Sequence, residues 1–221
     1  MKIAILTTKN QWFEKYAEKL SKKFKSPLFF SFENAQGFDV VFILSYHQII
    51  PKRILEKNRH NIVVHASDLP RGKGWAPLFW QILENKDEIT FSMFEAGEGV
   101  DNGDIYMKRN LRLSGYELNE ELRKKQADLI LEMCEDFIEN YEAYKIPKPQ
   151  KGKESFYPKR TPLDSKLDTE KTIKEQFNLL RIVNNEEYPA FFEIDGHRYI
   201  LKIEKAENWT EKVQQDENRK I

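Results

Sequence analysis

A single cysteine stands in the 221 residues, so no disulfide forms within the chain. That suits a reducing cytoplasm, which is the expected location. Cys134 falls in a helical pattern with Leu131, Phe137 and Ile138, with no His nearby in sequence, so it reads as a core thiol rather than a nucleophile. Neither sign of charge is in excess: 36 basic and 36 acidic residues cancel. A zero balance leaves no overall electrostatic footprint for nucleic acid and weighs against a tRNA-binding enzyme. No apolar run reaches the ~18–20 residues that span a bilayer, so no membrane contact is expected. The opening Met1–Thr7 turns polar too soon for a signal peptide. His47, His60 and His197 lack metal-ligand spacing and no Cys/His cluster exists, so no metal is expected. Finally, Thr7-Thr8-Lys9-Asn10 stands where a G-x-G-x-x-G dinucleotide fingerprint would follow a first strand. There are no internal repeats.

What is present is a globular composition, 40% hydrophobic and 13% aromatic, in a chain long enough for one well-buried core. Strand and helix patterns alternate. Strands are expected at 2–7, 28–32, 40–44, 62–64, 90–94 and 104–113. Helices are expected at 11–24 (capped by Asn10), from Pro51 to 55, at 76–83 and at 117–144. This order implies an α/β fold, a Rossmann-like, largely parallel sheet flanked by helices. Phe29, Phe30, Phe32 and Phe42 read as core. Ile146–Lys153 has linker composition. After it a helix over 169–183 and two strands around Asp195-Gly196 predict a C-terminal helix and β-hairpin. The expected organisation is a catalytic domain over 1–150, a C-terminal extension over 151–206 and a charged tail over 207–221. The hairpin, marginal alone, is expected to pack on the main domain or to join two copies in a homodimer.

The most informative stretch runs from Asn61 through Ile-Val-Val-His65-Ala-Ser67-Asp-Leu-Pro70-Arg71-Gly-Lys73-Gly-Trp75-Ala-Pro77. It reads as a buried strand ending on a histidine, then a Pro/Gly-rich loop, then a helix. A second element, Glu98-Gly99-Val100-Asp101-Asn-Gly103-Asp104, adds a carboxylate in a Gly-rich turn. In open α/β sheets ligands sit at the carboxyl ends of the strands, where a titratable His and an Asp can meet. Taken singly, His65 is a strand-end histidine and Asp101 a turn residue; together they form a catalytic layout.

The combination resembles the formyltransferase family that uses 10-formyltetrahydrofolate. The family's His-x-Ser-x-Leu-Pro loop with a following Gly and Pro appears as His65, Ser67, Leu69, Pro70, Gly74 and Pro77, and its Asp-x-Gly as Asp101 and Gly103. Tyr46-His-Gln48-Ile-Ile50-Pro51 resembles the folate-pocket loop. Tyr157–Ser165 and Arg181…Phe191 resemble the branch that N-formylates nucleotide-linked amino sugars, with a weaker likeness to the pseudaminic-acid type. The resemblance implies that His65 and Asp101 are catalytic, that 10-formyltetrahydrofolate is co-substrate, and that the pterin lies on Gln48, Ile50, Gly97, Glu98, Gly99 and Val100. It implies an acceptor that is a UDP- or dTDP-linked amino-dideoxysugar used for bacterial surface glycans. Lys9, Arg71 and Lys73 are candidates for its diphosphate, Ser67 lies beside them, and Trp75 is a candidate for stacking. One position departs from the family: its catalytic Asn, two residues before the His, is Val63 here. Asn61 shares that strand face but lies ~7 Å further back at ~3.4 Å per residue. The departure leaves two alternatives open, a formyltetrahydrofolate hydrolase and a non-catalytic folate- or nucleotide-binding member.

Overall fold

The computed structural model describes residues 1–206. In chain order its elements are β1 (Ile3–Leu6), α1 (Glu14–Phe24), β2 (Leu28–Phe29), β3 (Val40–Ile43), α2 (Lys52–Leu55), β4 (His60–His65), β5 (Lys73–Gly74), α3 (Pro77–Leu83), β6 (Glu88–Glu95), β7 (Ile105–Arg112), α4 (Asn119–Glu139), α5 (Tyr141–Tyr144), β8 (Phe156–Tyr157), α6 (Phe177–Ile182), β9 (Ala190–Ile194) and β10 (His197–Leu201). Six strands form one sheet in the order β2-β1-β3-β4-β6-β7. The first four are parallel, while β6 runs antiparallel to β4 and to β7. The sheet is therefore largely parallel, as expected, and mixed only because β6 runs against the other five strands. The cause is the length of α3: seven residues at 1.5 Å each cannot carry the chain back along the sheet, so β6 starts at the carboxyl end of β4 and runs down it.

Alternation along the strands divides the core in two. Ile5, Phe42, Ile62 and Phe91 face α1 and α4, packing with Phe13, Leu20, Leu122 and Phe137. Their neighbours Ala4, Leu6, Val41 and Ile43 face the other way, toward Leu55. Each fully buried side chain of this kind is worth about 1.5–3 kcal/mol. Cys134 lies fully buried on α4, and burial pushes its thiol far up, which fits a core role.

Several expected boundaries move for local reasons. Asn10 does not cap α1; it sits at φ +56, and its N–H donates to the Glu14 carboxylate at 2.6 Å. α1 has no side-chain cap; just ahead of it Gln11 accepts from Phe13 N–H and Ser45 Oγ and donates to Thr7 Oγ1. The second strand stops at Phe29, and Phe30 stands 37% exposed, outside the core. The long helix breaks at Asn140 between α4 and α5. The helix expected over 169–183 forms only over Phe177–Ile182. Upstream, Gln176 bonds the backbone of Asp168, Lys171 and Thr172, and Glu175 bonds Thr172, and these local side-chain bonds compete with a helix. The hairpin forms as β9 and β10, with Asp195 and Gly196 both at positive φ in its turn. The tail over 207–221 lies outside the described residues. No described helix is long and apolar enough to cross a membrane.

Candidate functional site

β4 delivers His65 to the carboxyl end of the sheet, with its side chain only 11% exposed. The chain then loops through 66–76. β5 within this loop pairs in parallel with β8 from the far end of the chain, so the C-terminal extension closes over the site loop. Two glycines permit close backbone approach around the site, Gly74 against the extension and Gly103 against β6. Gly74 adopts φ +95, and a Cβ there would meet the Tyr157 carbonyl oxygen at 2.5 Å; a Cβ on Gly103 would meet the Glu95 carbonyl oxygen at 1.5 Å.

The turn between β6 and β7 brings Asp101 back over β4. Its Oδ2 lies 3.6 Å from His65 Nε2 and accepts the Gly74 N–H at 2.8 Å. His65 Nε2 lies 2.9 Å from the Gly72 carbonyl oxygen. A carbonyl only accepts, so Nε2 carries a hydrogen and donates it there. Asp101 itself sits at φ +50, a left-handed conformation that L residues rarely adopt. Gln150 clamps it: its Nε2 donates to the carbonyl oxygens of Asp101 and Gly103, both at 2.8 Å. Gln150 came from a stretch with linker composition and carried no local signal of this role.

The other expected residues fall in different places. Ser67 is buried beneath the loop, and its Oγ has no hydrogen-bond partner. Lys73 is 3% exposed; its ammonium bonds Asn102 Oδ1 and pairs with Glu154 at 2.9 Å, over the Phe156 ring. It is spent inside the protein and is not a free phosphate ligand, because the β5–β8 pairing turns it inward. Lys9 extends over Phe30 on the surface, 5.9 Å from the ring centre. Arg71 is exposed and Trp75 is 43% exposed, its ring 5.9 Å from that of His47.

Val63 packs against the smaller core cluster and brings no polar group. Asn61 does not replace the missing amide. Its Nδ2 donates to Leu55 O at 2.9 Å and Glu95 Oε1 at 3.3 Å, and its Oδ1 accepts from Asn58 at 2.9 Å. Lys52, Leu55, Asn58, Asn61, Glu95, Ala96, Gly97 and Glu98 surround a cleft of about 390 Å³. Glu95 is held by Asn61 and by the Tyr106 hydroxyl, yet burial wins and raises its carboxyl above the ordinary carboxylate range. Gln48 is exposed beyond this cleft, with Tyr46 donating to its Oε1 at 3.2 Å, and Ile50 is half-buried. Gly99, at φ +94, lies against Asn102, and Val100 is half-exposed. No group of three or more His, Cys, Asp or Glu suited to a metal ion occurs among the described residues.

The Formyl transferase family model matches residues 12–134. Methionyl-tRNA formyltransferase of Thermosipho melanesiensis is 40% identical over 140 residues, 63% of this chain and 43% of that protein. The chain spans about half the length of the curated relatives it matches. Three solved structures share the fold. A methionyl-tRNA formyltransferase from Clostridium thermocellum superposes with TM-score 0.79 at 23% identity, covering 95% of each chain. HypX from Aquifex aeolicus in complex with tetrahydrofolic acid gives 0.75 at 17%, covering 92% of this chain and 37% of that one. A 4-N formyltransferase from Francisella tularensis gives 0.67 at 16%, covering 93% and 98%.

Proposed function

The chain belongs to the Formyl transferase family, and on that premise we propose that it moves a formyl group from 10-formyltetrahydrofolate to the amine of a nucleotide-linked amino-dideoxysugar. The observation that carries the chemistry is the buried His65–Asp101 pair, 3.6 Å apart at the carboxyl end of the sheet. A neutral amine attacks the formyl carbon, and negative charge develops on the formyl oxygen. With Nε2–H held on Gly72 O, the free Nδ1 edge of a His65 imidazolium donates to that oxygen. Asp101, aimed by Gly74 N–H, takes the proton that the amine nitrogen sheds as its bond to the formyl carbon forms; collapse of the tetrahedral intermediate then breaks the bond to N10 of the folate, which takes up a proton and leaves as tetrahydrofolate. Losing one oxyanion donor typically costs about 2.7–4 kcal/mol of barrier. With Val63 in the Asn position, His65 carries that load alone, and the predicted consequence is a slow enzyme.

The cleft between Leu55 and Gly97 supports the folate reading. Its Leu55 and Ala96 surfaces suit a flat ring, and Asn58, Asn61 and Glu95 offer donors and acceptors at its edge. Gly97 and Glu98 line it as well, and we assign Gln48, Ile50, Gly99 and Val100 to the same folate site on the family resemblance. The acceptor reading is supported by the resemblance of Tyr157–Ser165 and Arg181…Phe191 to the sugar branch and by the balanced charge. The identity to methionyl-tRNA formyltransferases favours a second reading, with methionyl-tRNA as acceptor. Incubating the protein and 10-formyltetrahydrofolate with UDP- and dTDP-linked amino sugars, and separately with methionyl-tRNA, separates the two by which product gains the formyl mass. The β9–β10 hairpin leaves Ile194, Tyr199 and Ile200 about half-exposed or more, and we assign it the contact of a homodimer.

A further inference from the structure

Three cations gather beside the site loop, none with a carboxylate partner among the described residues. The Arg123 guanidinium lies between two rings, 4.3 Å from the centre of Trp12 and 4.4 Å from that of Phe79. Its one side-chain hydrogen bond is to Gln126 Oε1 at 3.2 Å. The Lys159 ammonium lies 5.1 Å from the centre of the Trp75 ring, which also faces His47. Arg160 gives Nη2 to the Asp164 carbonyl oxygen at 3.0 Å and to Ser165 Oγ at 3.5 Å, but its Nε is buried with no partner. None of the three comes within 4.0 Å of a carboxylate among the described residues, although other Lys and Arg side chains do pair there. Glu187 and Asp164 are the acids that reach them through space.

Placement gives the cluster its meaning. Trp12 follows β1 and His47 follows β3, whose N–H bonds Thr8 Oγ1 at 3.2 Å; the chain order reverses between these two strands, where open α/β sheets bind ligands. Trp75 adjoins Gly74, the residue that aims Asp101. Lys159 and Arg160 arrive because β8 pairs with β5, with Trp80 Nε1 donating to Pro158 O at 2.9 Å. The cations also feel one another. Burial lowers the His47 imidazole, and Lys159 and Arg123 push it lower. Burial brings Arg123 down to about 10, with Arg160 adding to the effect. Cations held this close with no directly paired carboxylate among the described residues favour an anion.

We propose that Arg123, Lys159 and Arg160, framed by Trp12, Trp75 and His47, form the subsite that holds the phosphate groups of a small nucleotide-bearing acceptor. The guanidinium groups suit phosphate oxygens, and the half-exposed Trp75 face suits a flat or sugar ring. This inference rests on the acceptor reading above and replaces Lys73, which is already paired. Lys9 and Arg71 have no part in it.

The test uses the full chain, with UDP and inorganic pyrophosphate as probes and tryptophan fluorescence and calorimetry as readouts. UDP binds saturably and pyrophosphate competes with it. Lys159→Ala and Arg123→Met each weaken UDP at least tenfold and leave 5-formyltetrahydrofolate affinity unchanged. If Arg123→Met does not fold, exposed Lys159, as Lys159→Ala and Lys159→Glu, still decides the matter. UDP affinity indifferent to these variants overturns the subsite. So does a protein that binds the folate analogue but neither probe, or one that binds tRNA and neither probe. Formyl transfer is followed separately by mass, so failure of the acceptor reading and failure of the subsite appear in different assays.

Discussion

His65 Nε2 faces two oxygens at once, the Gly72 carbonyl at 2.9 Å and Asp101 Oδ2 at 3.6 Å. The shorter contact fixes where the hydrogen sits, and the longer one places a carboxylate beside the imidazole without a direct bond. Gly74 N–H holds the same Oδ2, so the loop that carries the backbone donor also sets the distance between the two side chains.

Val63 sits where the family resemblance calls for an oxyanion donor, so Val63→Asn is expected to raise kcat. The gain is about tenfold or more, within the range that one such donor supplies. Steady-state formyl transfer by wild type and variant checks it. An unchanged or lower kcat, in a variant that keeps its folate affinity, would show that this strand face does not reach the formyl oxygen.

Gln150 clamps Asp101 in its left-handed conformation without touching the reacting groups, so it is a positioning residue. Gln150→Ala is expected to cut kcat about tenfold, leave acceptor KM nearly unchanged and lower Tm only slightly, since a small misplacement of a catalytic group is costly. Gln150→Glu loses the amide donor and does not rescue. A variant that lost stability and not kcat would make the clamp purely structural.

Glu117 joins the start of α4 to α6 through Arg181, both nearly fully buried. Burial opposes the Glu117 charge, but the Ser114 N–H, its own backbone N–H and Lys125 outweigh it and hold the carboxyl down at about 2, from an ordinary 4.5. A carboxyl depressed in the folded state adds stability that is full above pH 4.5. That stability, about 3 kcal/mol, is lost as pH falls from 4.5 to 2. Glu117→Gln is expected to destabilise by about 3–5 kcal/mol at pH 7, because Arg181 is left buried and unpaired. Urea unfolding from pH 7 to 3 checks both; equal losses of stability in wild type and variant across that window would contradict the assignment.

The hairpin predicts a dimer that Ile200→Asp dissociates, because Ile200 is 64% exposed on β10. Light scattering should fall from two chains per particle to one. Two chains retained after deletion of 188–203 would move the interface elsewhere.

The sequence made legible those features whose chemistry is local. Asp195-Gly196 between alternating apolar runs announces the hairpin, and the strand-His-loop run around His65 announces a strand-end histidine that the fold sets 3.6 Å from Asp101. Asp101 followed from its glycine turn. Gln150 was not legible: its clamp appears only because Lys148 bridges to Ile105 and brings the chain back to the 101–103 turn, and nothing near it in sequence encodes that return. Lys73 misled for the same reason: a loop lysine next to Gly looks free until β8 pairs with β5 and seals it against Glu154. Asn10 misled because it takes a left-handed φ in a turn ahead of the helix, and α1 begins only at Glu14 with no side-chain cap.

The central claim is tested most directly by mass spectrometry of UDP- and dTDP-linked amino sugars incubated with the protein and 10-formyltetrahydrofolate. The account predicts one sugar heavier by a formyl group, with the gain abolished in His65→Ala and reduced at least a hundredfold in Asp101→Asn. Formate released with no formylated amine, or formyl transfer that survives His65→Ala, would contradict it.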